Sequence, residues 1–100
     1  MNQVIYRYRF RPQISFRCVE RWLSLAIVAA AGLHGEAAVE MDACYSFDKK
    51  RRACVVDAHG GVGRDIARIL TSFLRHGLKA NAFDVEAIDL PGDPAQEISA

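Results

Sequence analysis

Asp57, His59, Gly60, Gly61, Arg64 and Asp65 crowd one short stretch, DAHGGVGRD. His59 can serve as a general acid or base, with a carboxylate close on either side. The run Gly60-Gly61-Val62-Gly63 opens an amphipathic segment, and the first backbone N–H groups of a helix lack intrahelical partners, so an anion can rest there. His59, Gly60, Gly61 and Arg64 are the candidate anion-binding residues. The spacing is neither G-x-G-x-x-G nor the P-loop pattern. Asp65 offsets the helix dipole by itself and competes with a bound anion. No second catalytic group is fixed nearby by spacing, so the sequence names no catalytic residue and favours a protein without chemistry of its own. Gly63 weakens a helix interior, which marks a place where another backbone passes close.

The remaining chemistry-bearing residues are dispersed. His34, His59 and His76 fall in three different connections, without the local pairs that bind metals, so neither metal nor cofactor is expected. Cys18, Cys44 and Cys54 show no C-x-x-C spacing, and an odd, sparse set suits reduced thiols in the cytoplasm. A bridge between Cys44 and Cys54 is open to strands lying side by side, but it is disfavoured in that compartment. Lys49-Lys50-Arg51-Arg52 is a basic turn, read as a solvated end. The net charge of +1 provides no field toward nucleic acid or a membrane, and 51% apolar residues suffice for a core.

Those residues must be positioned by regular elements. Val4 to Phe10 alternates, with Val4, Tyr6, Tyr8 and Phe10 on one face and Ile5, Arg7 and Arg9 on the other, as in a half-buried strand ended by Pro12. Ser15 suits an N-cap for a helix with the stripe Phe16, Val19, Leu23, Ala26, Ala30 and Leu33, broadened by Trp22, Ile27 and Ala29. An Arg-rich start before apolar Trp22–Leu33 also has the outline of a secretory signal, but the strand-like alternation and Glu20 argue against it. The apolar run is shorter than the ~20 residues that span a membrane. Ala37 to Phe47 alternates again and predicts a strand, joined through the basic turn to a second strand, Arg52 to Ala58. A turn centred on Lys49 and Lys50 pairs Phe47 with Arg52, sends Cys54 and Val56 to the core and puts Asp57 on the opposite face. Val62, Ile66, Ile69, Leu70, Phe73 and Leu74 form the apolar stripe of a second helix, ending at Gly77. Phe83, Val85 and Ala87 alternate with Asp84, Glu86 and Ile88 in a last strand. Residues 1–90 read as one α+β domain and 91–100, with Pro91, Gly92 and Pro94, as a flexible tail.

The order strand, helix, strand, strand, helix, strand resembles the ferredoxin-like arrangement, which implies a four-stranded antiparallel sheet of order 4-1-3-2 with two helices on one face. The resemblance is one of fold only. The first loop, Arg11-Pro12-Gln13-Ile14, lacks the glycines of an acylphosphatase-like cradle. Arg7, Arg9 and Asp57 stand where RNA-recognition modules carry aromatics. The first loop also lacks the cysteine pair of copper-chaperone-like domains.

In this arrangement the bare sheet face sets Arg7 and Arg9 between Asp57 on one side and Asp84 and Glu86 on the other, with Glu40 and Asp42 on the far edge. Such rows can complement their own copy across a two-fold axis. The leading expectation is therefore a cytoplasmic interaction module, a homodimer through the open face or an edge strand, with room for an unknown protein partner. The alternative is a binder, sensor or enzyme of a small anion at the start of the second helix.

Overall fold

The structure, a computed structural model, describes residues 3–90. Its elements are β1 (Gln3–Phe10), α1 (Phe16–His34), α2 (Glu36–Asp42), β2 (Tyr45–Asp48), β3 (Ala53–Asp57), α3 (Gly61–Gly77) and β4 (Phe83–Leu90). The fold is α+β, with one antiparallel sheet of order β2-β3-β1-β4. Read from the other edge, this is the expected 4-1-3-2.

The alternation of β1 does what period two requires. Tyr8 and Phe10 are buried under the helices, while Arg7 and Arg9 stand on the open face. Cys54 and Val56 of β3 join them, with Val19, Leu23, Ala26 and Ala30 of α1 and Val62, Ile66, Leu70 and Leu74 of α3. Tyr8 carries a polar group into this core and satisfies it: its hydroxyl donates to the Ala67 carbonyl at 2.9 Å and lies 2.8 Å from Thr71 Oγ1. Burial pushes the Tyr8 phenol from 10.0 up to about 12. Phe10 and Phe83, register partners across β1 and β4, stack with centroids 6.3 Å apart. Ser15 occupies the N-cap position of α1, but its side chain makes no capping bond.

Two glycines of α3 are dictated by packing. A Cβ on Gly63 would overlap the Asp57 carbonyl, which is the close backbone approach its place in a helix implied. A Cβ on Gly77 would come within 2.6 Å of the Trp22 ring.

Several expectations are corrected. Ala37 to Phe47 is not one strand: Glu36–Asp42 is the helix α2, and only Tyr45–Asp48 is extended. Ala, Glu and Met favour a helix, and only Val39 of this segment is buried, so period-two alternation had no sheet face to serve. There are thus three helices among the described residues rather than two, and Glu40 and Asp42 belong to α2 instead of a sheet edge. The hairpin register is shifted by two residues: Phe47 faces Cys54, not Arg52. An even shift preserves the faces, so Cys54 and Val56 remain inward. Arg52 lies in the turn with φ of 53° rather than in a strand, and it is not simply solvated. Its guanidinium donates to the carbonyls of Arg11 and Ile14, tying the hairpin to the β1–α1 connection. Leu33 is 69% exposed and leaves the core stripe. Cys44 and Cys54 are both free, the first exposed and the second buried. The expected tail, 91–100, lies outside the described residues.

Candidate functional site

The end of β3 and the start of α3 bring Asp57, His59, Gly60, Gly61 and Arg64 together, as their sequence proximity required. Asp57 is the anchor, its side chain only 13% exposed. One of its oxygens, Oδ1, accepts from the His59 backbone N–H at 3.0 Å and from the imidazole Nδ1 at 2.7 Å. A carboxylate only accepts, so the proton of neutral His59 sits on Nδ1 and Nε2 is left as the acceptor. The Asp57 N–H donates to the Cys44 carbonyl at 2.9 Å, which brings exposed Cys44 beside the Asp57–His59 pair. Sequence reasoning missed this adjacency because it depends on the hairpin register.

Gly60 is the N-cap of α3, with nothing within 4 Å of where its Cβ would be. Acidic Asp57 and Asp65 and basic Arg64 and Arg68 all lie around this helix start, so its charge is mixed. Asp65 Oδ2 lies 2.7 Å from His34 Nε2 at the end of α1, and Asp65 Oδ1 lies 3.7 Å from Arg68. Asp65 thus links two helices; it lies past the first turn of α3, where no acidic side chain matches the dipole, and its negative charge still opposes an anion. Arg64 is exposed one turn in.

The open sheet face collects Arg7, Arg9, Asp84 and Glu86, but not Asp57 in the expected way. Asp57 is the register partner of Ile5, while Arg7 and Arg9 face Val55 and Ala53. Asp57 therefore serves His59, and the arginines turn to β4. Arg7 Nη1 is 3.1 Å and Arg9 Nη2 3.9 Å from Glu86 Oε1; Arg11 Nη1 is 2.9 Å from Asp84 Oδ2. All these groups are substantially exposed, so each pair contributes only ~0–1 kcal/mol. Toward the hairpin, Arg7, Arg9 and Arg51 rim a concavity of about 500 Å³ with Ser46 and Asp48, floored by Ala53 and Val55. Ser46 was not foreseen and Arg51 was read only as part of the basic turn, because their approach to β1 follows from the hairpin register.

Among the described residues no group of three or more His, Cys, Asp or Glu is placed to hold a metal ion, and no helix is long and apolar enough to cross a membrane. No protein-family model, characterised protein or solved structure matches this chain.

Proposed function

We propose that this chain is a small cytoplasmic interaction module of ferredoxin-like arrangement, with α2 inserted in its first crossover, that works as a homodimer and carries no catalysis of its own. The observation that supports it is apolar surface left outside the fold. Leu25, Val28, Leu33, Met41, Tyr45 and Val85 are all exposed, Met41 to 84%. Apolar patches rimmed by charge mark interaction surfaces.

Three surfaces are available for a second copy. The open sheet face pairs its charges largely within the chain, through Arg7–Glu86 and Arg11–Asp84. Among the described residues the edge strand β4 pairs only with β1, so its other side is a sheet edge to which a strand can be added. Its Asp84 and Glu86 would meet their own copies there, and like charges across strands oppose pairing. The outer side of α1 has no such conflict. Sedimentation of the wild-type chain over a range of concentrations tests the reading. A dimer is expected; a monomer at the highest attainable concentration in low salt overturns it.

A second reading, recognition of a small anion, draws support from the Arg7, Arg9 and Arg51 concavity more than from the start of α3, where Asp65 opposes it. Phosphate and small carboxylates should then raise the melting temperature. A ligand at 100 times its dissociation constant contributes ~2.7 kcal/mol. No shift at millimolar anion removes this reading.

A further inference from the structure

We infer that two copies of this chain meet through the outer side of α1, packed antiparallel across a two-fold axis. The inference rests on the homodimer reading and adds its contact surface. Cys18, Arg21, Leu25, Val28 and Gly32 recur at alternating steps of three and four along α1, the spacing of a coiled-coil seam, and all are exposed. Leu25 is 47% and Val28 68% exposed, with exposed Ala29 beside them. No charged residue interrupts the helix from Trp22 to Leu33. A helix apolar on every side is one that is covered on every side, and among the described residues the core covers the side carrying Val19, Leu23, Ala26 and Ala30, flanked by half-buried Trp22, Ile27 and Ala31, but not Leu25, Val28 and Ala29.

Gly32 points the same way independently. Glycine weakens a helix interior relative to alanine. At Gly63 and Gly77 the chain's own atoms occupy the space a side chain needs, but at Gly32 nothing lies within 4 Å of a Cβ. Among the described residues no internal contact requires glycine there, which leaves room for a second helix to cross closely.

Charge then selects the occupant and its direction. Arg17 and Arg21 are exposed on the first turns of α1, and Glu36 is exposed just past its end. A parallel pair sets like beside like. An antiparallel pair with its axis beside Val28 and Ala29 sets Leu25 over the partner's Gly32 and turns Arg21 toward the C-terminal end of the partner's α1, where Glu36 opens α2 after the break at Gly35. A surface basic at one end, acidic at the other and apolar between is complementary to itself.

Val28→Glu and Gly32→Ala, compared with wild type by sedimentation velocity and circular dichroism, test the inference. Both positions are exposed, so both variants fold. Val28→Glu should be monomeric where wild type is dimeric. Gly32→Ala should melt higher as a monomer, because alanine favours the helix, and yet dissociate about tenfold more readily. A wild-type dimer unchanged by Val28→Glu overturns the α1 interface and leaves the homodimer standing. A wild-type monomer at every concentration overturns both. A chain monomeric in buffer that binds phosphatidylglycerol-containing vesicles, and loses that binding in Val28→Glu, assigns the stripe to lipid and overturns the inference.

Discussion

α3 turns Arg64, Arg68, Ser72 and Arg75 to water and Val62, Ile66, Leu70 and Leu74 to the core, whereas its neighbour α1 turns Leu25, Val28, Ala29 and Gly32 to water while burying Val19, Leu23, Ala26 and Ala30. Both helices pack on the same sheet face, and His34 and Asp65 join the end of one to the start of the other. The core accounts for one side of each. The other side of α3 needs only solvent, but among the described residues nothing covers the other side of α1. On the proposed interface, folding and association use opposite sides of α1.

The comparison is sharpened most by truncation on its two sides. Leu70→Ala, at a fully buried site of α3, should cost ~2–5 kcal/mol, while Val28→Ala on α1 should change monomer stability by no more than ~0.5 kcal/mol. Chemical denaturation at low protein concentration measures both, and comparable losses would place Val28 in the core.

A second contrast uses glycine. Gly63→Ala forces a methyl group against the Asp57 carbonyl and should destabilise by ~1–3 kcal/mol, whereas Gly32→Ala should stabilise the monomer by up to ~1 kcal/mol. Opposite signs in thermal melts are the expected outcome. A loss at both positions would mean that Gly32 has a packing role inside the monomer.

The shared core has a pH signature. Burial raises the Cys54 thiol from 9.0 to about 12 and the Tyr8 phenol from 10.0 to about 12. Both groups stay protonated in the folded state after the unfolded chain has begun to ionise. Their contribution is therefore complete below pH 9.0 and is lost as pH rises toward about 12. Melting temperature should fall over that window, and Cys54→Ala should flatten the decline. An unaltered alkaline slope in Cys54→Ala would show that the thiol is not held neutral by the fold.

Much of this was legible in the sequence, for physical reasons. Period two in Val4–Phe10 and period 3.6 in Val62–Leu74 each had one buried face to obey, and strand order followed from the order of elements. Gly63 was legible because a helical glycine needs a reason. The α2 segment was not: over a few residues, alternation around Val39 and Met41 competes with helix propensity, and only tertiary context decides. The site divided in the same way. His59 and Asp57 meet because they are two residues apart. Arg7 and Arg9 beside Asp84 and Glu86 followed from strand order, with the Arg7–Glu86 pair fixed by the β1–β4 register, whereas the approach of Arg51 to the sheet face and the adjacency of Cys44 to Asp57 depend on the hairpin register, which is shifted by two residues. On α1 the buried side, Val19, Leu23, Ala26 and Ala30, was legible from its period, while the exposure of Leu33 was decided by packing.

Cysteine cross-linking compares the two helices most directly. In a background with Cys18 and Cys44 replaced by serine, Ala29→Cys puts a thiol beside the proposed axis on α1, and Ser72→Cys puts one on the exposed side of α3. A disulfide needs Cα atoms within ~7 Å. Mild oxidation should convert the Ala29→Cys chain to a covalent dimer and leave the Ser72→Cys chain monomeric. Equal cross-linking at both positions, or preferential cross-linking through residue 72, would contradict the account.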